Sequence, residues 1–108
     1  MAVAAENFGV PASLRFTGNQ WDWPYAWASV QHFAAGALAR AGRDDLVARI
    51  DQGWMRAVEI AFARTGSIPE KFDVTDPERT PTVTQGYAQT QVSFGWTNAF
   101  YVEALNRN

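Results

Sequence analysis

The sequence has 108 residues, enough for one domain and too few for two. Lys and Arg number 9 against 11 Asp and Glu, a formal charge of -2, which argues against nucleic acid as a partner because neutralising phosphate takes a clustered basic surplus. Cysteine is absent and histidine occurs once, which excludes disulfides, thiol nucleophiles, zinc-thiolate centres and His-rich metal sites, so no metal or cofactor is expected.

No apolar run approaches the roughly 20 residues of a membrane-spanning helix, so no membrane partner is expected. Met1–Ala5 is apolar but short and has no basic flank, which argues against a secretory signal and favours the cytoplasm. Residues 1–19 read as a leader and loop, punctuated by Gly9, Pro11, Gly18 and Asn19, with Val10, Leu14 and Phe16 as scattered apolar contacts.

A first helix is predicted from about Tyr25 to Ala41. Pro24 suits its first turn, with Asp22 or Trp23 near the cap, and Trp27, Val30, Ala34, Ala37, Leu38 and Ala41 form the apolar face. Gly42 ends it. His32 lies one position off that face and reads as a hydrogen-bonded structural residue.

A second helix is predicted from Asp44 to Arg64, capped by Asp44 or Asp45, with Leu46, Val47, Ile50, Trp54, Val58, Ala61 and Phe62 in helical period. Gly53 weakens its middle by about 1 kcal/mol relative to alanine unless packing offsets the loss. Asp44, Asp45 and Asp51 read as a cap and a solvated face, and Thr65-Gly66 is the stop.

Periodicity disappears from Ser67 to Phe94, where Pro69, Pro77, Pro81, Gly86 and several threonines make a long irregular segment. Loops longer than roughly 12–15 residues are uncommon in compact domains and are often functional. A last helix is predicted from about Trp96 to Asn106, with Phe100, Val102 and Leu105 as its apolar residues.

Aromatic residues are abundant, with 5 Trp, 7 Phe and 3 Tyr. They can fill a core, or their ring faces can stack on sugar rings. Three segments can carry chemistry. Gln20-Trp21-Asp22-Trp23-Pro24-Tyr25-Ala26-Trp27 is either a hydrophobic helix entry or a sugar subsite with stacking rings and hydroxyl acceptors. Glu70, in Ile68-Pro69-Glu70-Lys71-Phe72-Asp73, is either one member of a solvated charge cluster or a general base that activates a water. In Ser93-Phe94-Gly95-Trp96-Thr97-Asn98, Gly95 permits a tight turn and Thr97 or Asn98 can cap, while the aromatics can close over a pocket.

Taken in this order and spacing, the three segments resemble the C-terminal part of trehalases of glycoside hydrolase family 37. Gln20-Trp21-Asp22 with Pro24 and Trp27 resembles the family's tryptophan-rich signature. Glu70-Lys71-Phe72-Asp73 is similar to its Glu-Lys-Tyr-Asp segment, and Phe94-Gly95-Trp96-Thr97-Asn98 matches its Phe-Gly-Trp-Thr-Asn motif without change. The likeness runs from about residue 17 to 105, so that residues 20–108 form the matching part of a catalytic domain and residues 1–19 precede it.

The resemblance implies an all-α fold, the C-terminal portion of an (α/α)6 toroid with three to four helices and a long catalytic loop. It implies inverting hydrolysis of α,α-trehalose to glucose without a metal. Glu70 would be the general base, and Gln20, Trp21, Asp22, Trp27 and Trp96 would bind the disaccharide or hold the pocket's walls. The family's general acid is an aspartate that no segment here resembles, so the isolated chain is expected to be inactive.

Two positions depart from the family pattern. Thr84-Gln85-Gly86-Tyr87-Ala88-Gln89 lacks a carboxylate present in well-known members, and Ala99 stands where a glycine is usual. The alternatives are another α-glucoside hydrolase on the same barrel, and a non-catalytic sugar-binding or truncated fragment. Helices cut from a toroid also leave apolar faces uncovered, so self-association is expected.

Overall fold

The computed structural model describes residues 8–78 and 95–107. In chain order these form β1 (Tyr25–Trp27), α1 (Ala28–Arg40), α2 (Asp44–Thr65), β2 (Lys71–Asp73) and α3 (Gly95–Arg107). The chain is mostly helical, as expected, but the all-α reading misses a two-stranded antiparallel ribbon. Its register sets Tyr25 opposite Asp73, Ala26 opposite Phe72 and Trp27 opposite Lys71.

The ribbon corrects the predicted start of the first helix. Pro24 follows a cis peptide bond and precedes a strand, so it is not a first-turn proline. Tyr25–Trp27 is extended and wholly buried because its backbone pairs with β2, and the helix begins only at Ala28. Trp27 occupies the cap position with an extended backbone and no side-chain capping bond, so neither Asp22 nor Trp23 caps α1.

The buried stripe of α1 is also rotated from the predicted one. Ala28, Gln31 and Ala35 are buried, Ala34 and Leu38 partly so, and Ala37 and Ala41 are exposed. Small residues let α1 approach α2 closely, and Gln31 tolerates burial because its amide is fully used. Its Nε2 donates to Val10 O at 2.7 Å and Trp27 O at 3.0 Å, while its Oε1 accepts from Val10 N at 2.8 Å. Gly9 makes that docking possible: a Cβ there would lie 2.7 Å from Gln31 Oε1, and its φ of +123° is one that other residues rarely adopt.

A tight turn joins α1 to α2. Gly42 N bonds Ala39 O at 3.1 Å and Arg43 N bonds Leu38 O at 2.9 Å, the paired pattern that satisfies terminal helix carbonyls. Helix α2 follows its prediction within one residue and ends at Gly66, whose φ is +75°. Its cap is Arg43 without a side-chain bond, so Asp44 and Asp45 act as first-turn carboxylates in the helix field, not as caps.

The core sits where α2 faces the ribbon, α1 and α3. Trp54 is its centre, fully buried and edge-on to Phe72 (ring centroids 5.2 Å apart) and Phe100 (6.2 Å). Gly53 is buried, so the expected helix penalty falls inside a packed region. Phe62, predicted for this face, is exposed instead.

Helix α3 is fixed on α2 by polar contacts that the periodicity did not reveal. Asp51, expected on a solvated face, is buried and receives a two-pronged bond from Arg107, with Nη2 2.6 Å from Oδ1 and Nε 2.9 Å from Oδ2. Tyr101 Oη donates to Glu59 Oε2 at 2.9 Å. Only Phe100 of the three predicted apolar residues of α3 is buried. Thr97 and Ala104 complete that face, while Val102 and Leu105 point outward.

Among the described residues, no helix is long and apolar enough to cross a membrane.

Candidate active site

Glu70 and Lys71 are sequence neighbours that are both charged and both fully buried. Burying an isolated charge is prohibitive, so each needs a partner. Lys71 Nζ lies 3.0 Å from Glu70 Oε1. The solvated charge cluster offered by the sequence is therefore ruled out for these two residues.

Local structure explains how the pair is held. Lys71 opens β2 and pairs across the ribbon with Trp27. Its ammonium stands 5.3 Å from the centre of the Trp27 ring, an arrangement favoured by the negative face of the indole. Glu70, immediately before the strand, offers its backbone carbonyl to Thr97 Oγ1 at 3.3 Å, which ties it to the first turn of α3. Thr97 is thus a helix residue that reaches to Glu70, and the capping role suggested for it gives way to that contact.

Trp27 is buried and belongs to a cluster of three tryptophans. Trp21 stacks on it with centroids 3.9 Å apart and planes 6° from parallel. Trp96 stands edge-on to both, at 6.4 Å from Trp21 and 6.2 Å from Trp27. The Trp27 indole N–H donates to Gln20 O at 2.8 Å, locking the ring's orientation. Trp21 keeps 45% of its surface and Trp96 36%, so the outer rings meet solvent while the inner one meets Lys71.

Gln20 shows a second feature. Its Oε1 is buried and has no hydrogen-bond partner among the described residues. Leaving such an acceptor unsatisfied costs roughly 1–3 kcal/mol, so a donor from elsewhere would be welcome there.

Asp22 is used differently. Its carboxylate oxygens accept from Ser13 Oγ at 2.8 Å and from Thr17 Oγ1, closing the loop that carries Trp21. The Thr17 and Ser13 hydroxyls hold its carboxyl below its ordinary value of 3.8. Asp73, the last motif residue, is buried and accepts from Thr75 N at 2.8 Å and from the Thr75 hydroxyl, which turns the chain out of β2.

Five of the six residues singled out therefore converge. Lys71 links the buried Glu70 carboxylate to Trp27, which contacts the more exposed Trp21 and Trp96, and Gln20 borders the cluster. Asp22 supports that cluster from the loop behind. Lys71, read from the sequence as part of a solvated charge cluster, joins them by its contacts with Glu70 and Trp27. The departure at Thr84–Gln89, with Tyr87, lies outside the described residues.

His32 is exposed, with Nδ1 3.0 Å from Glu103 Oε2, as a structural histidine should be. Burial raises the Glu103 carboxyl, but bonds from Arg107 and His32 outweigh that and hold it below its ordinary value. Among the described residues, no group of three or more His, Asp or Glu is placed to hold a metal ion.

A family model described as Trehalase matches residues 1–108. The chain is 34% identical over 102 residues to a trehalase of Tenebrio molitor, covering 92% of this chain and 18% of that protein. It is 32% identical over 108 residues to a trehalase of Homo sapiens, covering 97% of this chain and 18% of that one. A periplasmic trehalase of Xanthomonas campestris is 35% identical over 98 residues, with 91% and 17% covered. The chain belongs to the trehalase family, and it spans less than a fifth of the length of these curated relatives.

Proposed function

We propose that this chain carries the general-base half of a trehalose-hydrolysing site, with Glu70 as the base. The observation that carries this reading is the buried Glu70–Lys71 pair set beneath the Trp21–Trp27–Trp96 cluster. A carboxylate withdrawn from bulk solvent, beside rings that can stack on glucose, suits deprotonation of a single admitted water. Trp21 and Trp96 offer the sugar-facing surfaces, Trp27 holds Trp21 and Lys71 in place, and Gln20 Oε1 accepts a sugar hydroxyl.

The reaction inverts configuration. Water attacks one anomeric carbon of α,α-trehalose, its proton passes to Glu70, and the glycosidic C–O bond breaks as an acid protonates the leaving oxygen. Such sites hold the two carboxyl groups roughly 6.5–9.5 Å apart. Asp22 is unsuited to be the acid, because its neighbours favour the ionised form and its oxygens already hold the loop. The acid comes from the part of the domain outside these 108 residues.

That larger part is a helical toroid, and it covers the apolar side chains left bare here. Phe33 on α1 is 74% exposed, and Val102 and Leu105 on α3 are each more than half exposed. Alone, the chain lacks turnover and associates with itself through these side chains.

The test uses the full-length polypeptide that carries this segment. Proton NMR taken during the first turnovers of trehalose should show α- and β-glucose released in equal amounts, since inversion at one carbon gives β and the leaving sugar stays α. Glu70→Gln should stop release. Two α-glucose molecules per turnover, or an active Glu70→Gln enzyme, would overturn the assignment. Sucrose or maltose turned over faster than trehalose would instead favour a different α-glucoside as substrate.

A further inference from the structure

We propose that Lys71 is a positioning residue for the Glu70 carboxylate, a role that rests on reading Glu70 as the general base. The argument begins with the stem. Lysine is ordinarily a mobile point charge on four flexible carbons. Here the first strand residue of β2 bears it, paired with Trp27. The ammonium is fixed further by the Trp27 ring at 5.3 Å, which is itself held by Trp21, Trp96 and Gln20 O.

A chain of contacts therefore runs from the exposed ring of Trp21 to the ammonium and on to Glu70 Oε1 at 3.0 Å. Glu70 is gripped separately at its backbone by Thr97, at the start of the helix that carries Trp96. The carboxylate thus has one anchor on the ribbon and one on α3. Lys71 sets its rotamer in a site closed to bulk water. The proton leaving water goes to Glu70, and the ammonium keeps the carboxylate where the attacking oxygen must stand.

The pairing also explains a residue choice. An arginine would spread its charge over a planar fork, whereas a compact ammonium fits between one carboxylate oxygen and an indole face. A purely structural lysine would neutralise Glu70 for folding and do no more, and the two roles separate experimentally.

Lys71→Met, Lys71→Gln, Lys71→Arg, Glu70→Gln and Glu70→Gln/Lys71→Met are made in the full-length polypeptide, and folding is followed by circular dichroism. In folded Lys71→Met, kcat on trehalose is expected to fall roughly 10–100-fold, a fraction of what a general base contributes. KM should move less than about threefold, because the sugar-facing rings stay in place. Lys71→Arg should recover only part of kcat.

If Lys71→Met does not fold, Lys71→Gln carries the same readings. Folding of the double variant then shows that a stranded charge was the cause. A folded Lys71→Met or Lys71→Gln enzyme with unchanged kcat would overturn the proposal while leaving Glu70 as base. An active Glu70→Gln enzyme would overturn the base reading itself.

Discussion

Two buried carboxylates, Asp51 and Glu70, face basic partners in this chain, and they differ in what the pairing accomplishes. Asp51 meets Arg107 through two parallel bonds across 56 residues of sequence, so the pair pins α3 on α2. Arg107 remains 34% exposed, which spares it much of the desolvation cost. Glu70 meets the residue next to it, and both charges are buried. A pair between sequence neighbours draws no helix onto another, yet it bears the larger desolvation cost. The first arrangement is what a fold needs, and the second fits the base role proposed for Glu70.

That contrast can be broken by variants of graded effect. Removing both charges of the site in Glu70→Gln/Lys71→Met should reduce trehalose turnover by roughly 10²–10⁴. Because both members of the pair are removed together, stability should fall less in denaturant unfolding than when Lys71 alone is replaced. Asp51→Ala should do the reverse, costing about 2–3 kcal/mol of stability, below the full range for a buried pair because Arg107 can turn to water. Turnover per folded molecule should survive.

Trp21→Ala sharpens the picture of the outer site. It should weaken trehalose binding roughly tenfold, about 1.4 kcal/mol, as read by calorimetry. The lost stacking on Trp27 should cost roughly 0.5–1.5 kcal/mol of stability.

Acid provides the smallest effect. Asp22 and Glu103 are both held below their ordinary carboxyl values by hydrogen bonds. A depressed carboxyl stabilises the fold above its unfolded value and loses that contribution as pH falls through the folded one. Denaturation midpoints should therefore decline as pH is lowered from 5 towards 3, roughly the range over which free carboxyls titrate. Asp22→Asn should flatten part of that decline.

Much of this was legible in the sequence because periodicity and punctuation report backbone choices directly. The second helix has Gly66 at its end and a clean run from Leu46 to Ala61, and it forms within one residue of expectation. The ribbon was hidden for a physical reason. Strands of three residues carry no period, and Tyr25–Trp27 and Lys71–Asp73 are extended only because each pairs with the other. The rotated stripe of α1 follows from Gln31, a polar residue whose amide is satisfied by a leader 21 residues away.

The charged core escaped for the same reason. Asp51 reads as a surface residue until Arg107 is placed beside it, and Lys71 until Trp27 is. Glu70 could be singled out only as one of two alternatives by local sequence, and its motif decided between them by resemblance. Its burial belongs to the tertiary structure alone.

The most direct test of the central claim sets Glu70→Gln/Lys71→Met beside Asp51→Ala in the full-length polypeptide, measuring urea unfolding and trehalose turnover on the same preparations. The account predicts a crossing: the first folds and does not turn over substrate, and the second is destabilised yet active per folded molecule. An active Glu70→Gln/Lys71→Met enzyme would contradict it, because the buried pair would then be structural like the other.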